Sequence, residues 1–457
     1  MSELGPSPLM AGDLNLSVAQ ARATIAAALT PISGSESVGL TQALGRVLAA
    51  DVISPIAVPA HDNSAMDGYA FAGDSLDSGG TSRYTPIGTA FAGAAFAGDV
   101  GAGQCVRIMT GAVMPASCDT VVPQELCSVD AASGAICIEP GVIRRGENRR
   151  KRGEDLALGG CALPAGRVVR PVDLGLIASL GITSVHVKRR LRVALFSTGN
   201  ELRSPDQPLD DGCIYDSNRY SLMGALQRLG MDVVDLGLVR DDPAALQATL
   251  DAAVAQADVV LISGGVSVGE ADYTRTLLAS MGEVAFWKVA MRPGRPFAFG
   301  PLHDNRGSRS KPGDTPSGAI TQPGTATSLS AGTQPAPPST TSWLFALPGN
   351  PVAALVTFYV FAREALLQLA GATPEPLVVL QARSPVAIRK RPGRSEFQRG
   401  RVSLAADGAW QVEITGSQGA GILRSMSEAN CLVVLGHEQG SIAAGDKVDV
   451  WLFDGLV

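Results

Sequence analysis

The stretch Leu191–Ser263 decides the fold. It reads LRVALFST (Leu191–Thr198), SNRYSLMGALQRLG (Ser217–Gly230), MDVVDLGLV (Met231–Val239), DPAALQATLDAAVAQ (Asp242–Gln256) and ADVVLIS (Ala257–Ser263) in order. The first, third and fifth segments are apolar runs of strand length, and the second and fourth have helical periodicity. Gly230 closes one helix and Pro243 sits in the first turn of the other. Strands alternating with helices of this length predict a doubly wound α/β domain with a mostly parallel sheet. The segments DYTRTLLASMG, EVAFWKVA, PFAFG, SWLFALPG and PVAALVTFYVFAREALLQLAG carry the rhythm onward, giving an α/β domain over 188–372.

The texture differs on both sides of this domain. Near the amino terminus SVAQARATIAAALT is helical, with Ser17 as its N-cap. Between 51 and 152, short strand-like runs such as QCVRIMTGAVMP, CDTVVPQE and GAICIEPG are separated by Gly, Pro and Ser, which predicts a β-rich inserted domain. The helical pattern VDLGLIASLGIT follows, so residues 1–50 and 153–187 are expected to pack as a discontinuous helical linking domain. From 373 to 457, short alternating runs (LVVLQARSPVAI, GAWQVEITG, KVDVWLF) predict a C-terminal β-barrel-like domain. The segment 301–341 is rich in Gly, Pro, Ser and Thr and reads as a disordered insert between two strands. The expected fold class is therefore α/β plus β-rich domains.

A chain of 457 residues is long enough for about three domains. With 46% apolar and 18% charged residues it is a folded chain, and a net charge of −6 argues against nucleic acid or a membrane surface as partner. Small molecules or protein are the expected partners. The seven scattered cysteines include no C-x-x-C pair and read as reduced thiols. The amino terminus lacks a signal-peptide pattern, and no apolar run is expected to approach the roughly 20 residues that span a bilayer, so the expected location is cytoplasmic.

In an open doubly wound sheet, ligands bind at the carboxyl ends of the strands. The loops there are STGNEL with Glu201, DSNR with Asp216, RDDP with Asp241, SGGVSVGEADY with Glu270 and Asp272, MRPGRP and LPGNP. Glycines allow close backbone approach, and helix N-termini offer unpaired amides, so SGGVSVG and LPGNP suit a phosphate or another anion. Carboxylates facing phosphate call for a hard cation, Mg²⁺, with Asp241 and Asp272 as the preferred pair. Singly, each Asp reads equally well as a helix cap and each Gly as a turn; together on one edge they point to a site. Neither glycine loop fits G-x-G-x-x-G or the P-loop, which disfavours a dinucleotide oxidoreductase and a simple NTPase. Lys288, Arg292 and Arg295 form a positive group at the same sheet edge. The histidines show no metal-ligand spacing, and no cysteine neighbours a histidine.

Two further clusters lie in the β-rich domain. Arg144, Arg145, Arg149, Arg150, Lys151 and Arg152 place six positive charges within nine residues, an ordinary solvated run or a receiver of anions. In DNSAMDGYAF (Asp62–Phe71) the Asp-Gly step predicts a hairpin turn, which leaves the crowding of Asp62, Asn63, Ser64 and Asp67 without a purely structural reason.

Taken together, DNSAMDGYA, RIMTGA, RRKRGED, ALFSTGNEL, IYDSNR, RDDP, SGGVSVGEADY, FWKVAMRPGRPFAFG, LPGNPV and EFQRG resemble, in order along nearly the whole chain, the molybdopterin molybdenumtransferase family, to which the C-terminal region of gephyrin is related. The resemblance implies a homodimer with a pocket shared between the α/β domain of one subunit and the β-rich domain of its partner. It implies substrates, adenylylated molybdopterin and molybdate, with Mg²⁺ as cofactor and AMP as product, and a molybdopterin adenylyltransferase as the partner that supplies substrate. It assigns catalytic roles to Asp67, Thr110, Asp155, Glu201, Lys288 and Arg399. Substrate contacts fall to Ser263, Gly264, Gly265, Ser267, Arg292, Arg295, Pro348, Gly349, Asn350 and Pro351, and the cation to Asp241 and Asp272. For Asp67 the implied role is to position molybdate or the cation, or to handle a proton. Arg292 and Arg295 stand where relatives often carry lysine, and Ala420 where some carry serine. The alternatives are a molybdopterin adenylyltransferase, which would not need the β-rich domain, and a non-catalytic gephyrin-like scaffold.

Overall fold

The computed structural model describes residues 16–265, 271–303 and 341–456, and the backbone alone for 271–275. The chain forms two compact units: the larger takes the described residues of Met1–Glu36, Gly45–Ala49 and His186–Val457, the smaller takes Ser37–Leu44 and Ala50–Val185.

The smaller unit is built on a six-stranded sheet of β1 (Gly68–Phe71), β2 (Ser82–Ala90), β3 (Gln104–Ile108), β4 (Thr120–Pro123), β5 (Ser128–Val129) and β6 (Ile136–Ile138), in the order β4-β1-β3-β2-β6-β5. Neighbouring residues of a strand enter opposite faces, as the pleat requires. Ala70, Val106 and Val121 join one apolar cluster, and Phe71, Cys105 and Val122 the other. The stretch Asp62–Phe71 is not a hairpin. Asn63–Ser64 pairs antiparallel with Arg149–Arg150, whereas β1 pairs with β3 and β4. Gly68 is needed for close approach and not for a turn: a Cβ there would lie 1.9 Å from the carbonyl oxygen of Val122.

The larger unit begins with α1 (Val18–Ala28), which Ser17 caps by accepting from the Gln20 amide. Its sheet contains β7 (Arg192–Thr198), β8 (Asp232–Val239), β9 (Val259–Ser263), β10 (Ala285–Lys288), β11 (Pro296–His303) and β12 (Thr341–Leu347), in the order β8-β7-β9-β12-β11-β10. The pairs β8/β7, β7/β9 and β9/β12 are parallel, and β12/β11 and β11/β10 antiparallel. Both faces are covered, so the strands read as continuous apolar runs. Val193 and Leu195 pack with Leu222 and Leu226 of α2 (Asn218–Arg228), and Ala194 and Phe196 pack with Leu246 and Leu250 of α3 (Pro243–Gln256). On the second face lies α4 (Ala271–Met281), through Leu277 and Leu278.

After β12 the chain enters α5 (Pro351–Thr357), widens into a π-helical segment (Phe358–Ala362) and continues as α6 (Arg363–Leu369). Pro351–Leu369 spans 19 residues with mean hydropathy 1.5, so an apolar run of membrane-crossing length does exist, against the sequence expectation. It is a core element here: Val352, Val356, Phe358, Phe361 and Leu366 are buried with Phe297 and Phe345 of the sheet. Of the disordered insert expected over 301–341, Pro301, Leu302, His303 and Thr341 instead belong to β11 and β12, His303 pairing with Thr341, and residues 304–340 lie outside the described residues.

Five strands, β13 (Val379–Arg383), β14 (Ser395–Leu404), β15 (Trp410–Ile414), β16 (Cys431–Leu435) and β17 (Lys447–Leu452), run in the order β14-β15-β13-β17-β16. Strand β14 pairs back onto β16, which closes the barrel around Ala382, Val402, Val412, Val433 and Val450. The segment Met291–Arg292 pairs with Ser395–Glu396 of β14, so the MRPGRP loop runs from the α/β sheet onto the barrel.

Candidate functional site

The carboxyl ends of β7, β8, β9 and β12 open into a cleft of about 860 Å³ in the larger unit. Glu201, Asp241, Ser263, Gly264, Gly349 and Asn350 are among its walls, as the sheet topology requires of residues that follow parallel strands. Asp241, directly after β8, is held at both oxygens. Its Oδ1 accepts from Thr198 Oγ1 at 2.5 Å and its Oδ2 from the Asn200 amide at 3.2 Å. Each oxygen keeps lone-pair capacity, and the side chain is exposed in the cleft. Asp242, its neighbour, caps α3 by accepting from the Ala245 amide.

Backbone contact explains the glycines. Gly264 has φ +100°, and a Cβ on it would lie 2.4 Å from the Thr198 carbonyl oxygen. Gly349 passes close by, its own Cβ position being 3.8 Å from the Gly264 Cα. Asn218 fastens the two loops: its Nδ2 donates to Ser263 Oγ at 2.8 Å and to the Gly349 carbonyl at 2.7 Å. Pro351 opens α5 beside the cleft, Gly265 lines it with φ +70°, and Pro348 is buried behind it. Ser267 and the side chain of Asp272 lie outside the described residues.

Other acidic and basic candidates separate by environment. Asp216 is 2% exposed and bound by Ser197 and Arg219, so it is a structural anchor for α2. Lys288 ends β10, the edge strand, on the same sheet edge as Thr198 and Ser263; Arg292 and Arg295 follow it, and all three are exposed. Arg399 is 1% exposed. Its guanidinium nitrogens donate to Ser425 Oγ and to the carbonyls of Ser417, Gln418 and Gly419. Burial, and secondarily Arg292, lowers its pKa from the usual guanidinium value. Arg399 thus braces the loop 417–421, whose Ala420 carbonyl accepts from the Val352 amide at 3.0 Å and whose Gly421 lines the cleft.

In the smaller unit three sequence blocks converge. Gly111 donates to the Ser64 carbonyl, Ser64 to that of Ala112, and Ala65 to that of Asn148. Asp62 Oδ1 accepts from the Arg152 amide at 2.8 Å, and its Oδ2 lies 3.7 Å from Arg149. The polar crowding thus ties DNSAMDGYA to RIMTGA and RRKRGED. Asp67 stands exposed at the entry to β1, its Oδ1 accepting from the Thr110 amide at 2.7 Å and from Thr110 Oγ1 at 2.8 Å. These two donors hold its carboxyl below the ordinary aspartate value, with Arg107 contributing further. Asp155 is exposed in the turn that follows the basic run.

Sequence reasoning did not pick out Thr198, Asn200 or Asn218 as cleft-builders. Nor did it single out Tyr215, which precedes the buried Asp216. The motif IYDSNR held the signal for the latter two, but their roles depend on how the following loop folds back. No cysteine is among the described residues lining the cleft; elsewhere, burial pushes the thiols of Cys105 and Cys431 up to about 12 and that of Cys118 up to about 11. Among the described residues, no three His, Cys, Asp or Glu side chains gather as a metal cluster.

Comparison with known proteins covers both units. The model of the MoeA N-terminal region, domains I and II, matches residues 16–181, that of a probable molybdopterin binding domain matches 194–368, and that of the MoeA C-terminal region, domain IV, matches 381–453. The molybdopterin molybdenumtransferase of Haemophilus influenzae is 36% identical over 443 residues, 97% of this chain and 100% of that one. That of Nostoc sp. is 34% identical over 91% of this chain and 88% of its own. The crystal structure of the molybdopterin biosynthesis moeA protein from Pyrococcus horikoshii OT3 shares the fold, with a TM-score of 0.74 at 24% identity over 96% of this chain and all of that one. From these matches, the chain belongs to the molybdopterin molybdenumtransferase family.

Proposed function

We propose that this protein transfers molybdate onto the dithiolene of adenylylated molybdopterin with release of AMP. The observation that carries the reading is relatedness over 97% of the chain to a molybdopterin molybdenumtransferase that is itself covered in full. The cleft supports it: Gly264, Gly265 and Gly349 let a pyrophosphate approach the backbone closely along its wall. Lys288, Arg292 and Arg295 supply positive charge for phosphate or molybdate, and arginine suits bidentate contacts to an oxyanion. Ionised Asp67, fixed by Thr110, positions molybdate or the cation or handles a proton. Phosphoanhydride cleavage needs charge neutralisation more than a protein nucleophile.

Asp241 fits a hard cation, being an exposed carboxylate with spare lone pairs, and we assign Mg²⁺ to it together with Asp272. Bound there, Mg²⁺ would neutralise charge on the departing phosphate. Glu201, in the same cleft, adds a further carboxylate.

The reading includes a homodimer, in which the smaller unit of one copy completes the cleft of its partner. Exposed apolar side chains on the smaller unit support a self-association surface: Leu44, Ile53, Leu158 and Val172 are 47–68% exposed on neighbouring elements. It also includes a molybdopterin adenylyltransferase as supplier of substrate, and a cytoplasmic location. The test supplies adenylylated molybdopterin, molybdate and Mg²⁺ and follows AMP and cofactor. AMP release should require molybdate, cease with a chelator and return with added Mg²⁺. Absence of AMP release under all these conditions would refute the reading.

A further inference from the structure

The cleft contains one surface that its anion chemistry does not use. Residues Leu202–Arg203 and Ile214–Tyr215 form a two-stranded parallel ribbon beside it, pairing Leu202 with Ile214 and Arg203 with Tyr215. Ile214 is 56% and Tyr215 44% exposed, although both line the cleft, where most neighbours are glycine, amide or carboxylate. Tyr215 is the single aromatic side chain among the described lining residues.

Its position is constrained from three sides. The ribbon fixes its backbone, through the Ile214 amide to the Glu201 carbonyl and the Asp216 amide to the Arg203 carbonyl. The next residue, Asp216, is buried and locked to Arg219. The phenol donates to the Gln207 carbonyl at 3.2 Å. The ring itself stays open. The neighbouring Tyr220 carries the Arg219 guanidinium at 4.8 Å from its centroid, whereas among the described residues no ring or cation lies on Tyr215. A rigid, half-exposed aromatic face in a polar cleft has the form of a stacking platform.

We infer that Tyr215 stacks against a planar nitrogen heterocycle of the substrate. This deepens the transferase reading and rests on it, because that substrate has two such rings, adenine and pterin, joined by the pyrophosphate that the glycine loops suit. Tyr215 is then a binding and specificity residue: it acts on both ground and transition states and should change KM far more than kcat.

The test measures calorimetric binding of AMP and, separately, of free molybdopterin to wild type, Tyr215→Ala and Tyr215→Phe, with KM and kcat alongside. Tyr215→Ala should weaken one of the two ligands by about tenfold or more, within the range found for base–aromatic stacking, and raise KM by a like factor at nearly constant kcat. Loss of AMP binding assigns adenine to the ring, and loss of molybdopterin binding assigns the pterin. Tyr215→Phe keeps the face and should stay within about twofold of wild type. A folded Tyr215→Ala, shown by unchanged melting, that binds both ligands like wild type would overturn the inference, as would a Phe variant that falls as far as Ala. Binding is read without turnover, so a wild-type protein that binds these ligands but never releases AMP would fail the transferase reading separately.

Discussion

Asp67→Ala should lower the rate of AMP release by at least about a hundredfold and lower the melting temperature only slightly, by the loss of its exposed pairing with Thr110. The side chain is exposed, so its loss opens no cavity and strands no buried charge. What holds the local fold is backbone: the Gln124 amide donates to the Asp67 carbonyl, and Gly68 fits beneath Val122. Among the described residues, the carboxylate bonds the amide and hydroxyl of Thr110, an arrangement that fixes a charge at the surface. Its folded pKa lies below the unfolded value, so this pairing favours the fold above the ordinary aspartate range and is lost as pH falls through the folded value. For the same reason Asp67 remains an anion from neutrality down to about pH 5, and activity should show no loss from its protonation in that window. Unchanged turnover in Asp67→Ala would remove Asp67 from the site.

Arg399→Met should act in the opposite order, on the fold first. The guanidinium organises three carbonyls of residues 417–419 in a position almost closed to water. Methionine fills much of the volume but leaves those acceptors unpaired, at a cost of about 3 kcal/mol. The expected melting temperature is lower by about 6 °C, on the scaling for a unit of this size. Activity falls as a consequence, because Gly421, at the end of the same loop, lines the cleft. Arg399→Lys should recover only part of the loss, a single ammonium being unable to span three carbonyls. An Arg399→Met protein that melts like wild type and is nevertheless inactive would return Arg399 to direct chemistry.

These two residues show where sequence and structure part. Both sit in motifs of the resemblance and look alike as candidate site residues, yet one is an exposed anion and the other a buried brace. Burial is a property of the assembled barrel, and nothing in EFQRG reports that Ser417–Gly419 will fold over the guanidinium. The α/β domain was legible because each strand is buried on both faces and each helix carries one apolar stripe. Val193, Ala194, Leu195 and Phe196 alternate between two cores, and both must be covered. Strand-end position then led directly to Asp241, Gly264 and Gly349. The local reading of DNSAMDGYAF as a hairpin failed because its partners are remote: Arg149–Arg150 and the strands β3 and β4 supply the pairing that a turn alone would have supplied. Tyr215 was invisible for a similar reason, since its neighbour Asp216 carried the obvious charge.

The central claim is that Asp67 of one copy and the Asp241 cleft of another form a single site. It is tested most directly by mixing inactive Asp67→Ala and Asp241→Ala proteins, dissociated and reassociated at equal amounts, and measuring AMP release. Random pairing makes half of the dimers mixed, and one site in each mixed dimer is then intact, so activity should return to about a quarter of wild type. Activity no higher than that of either mutant alone would contradict the account.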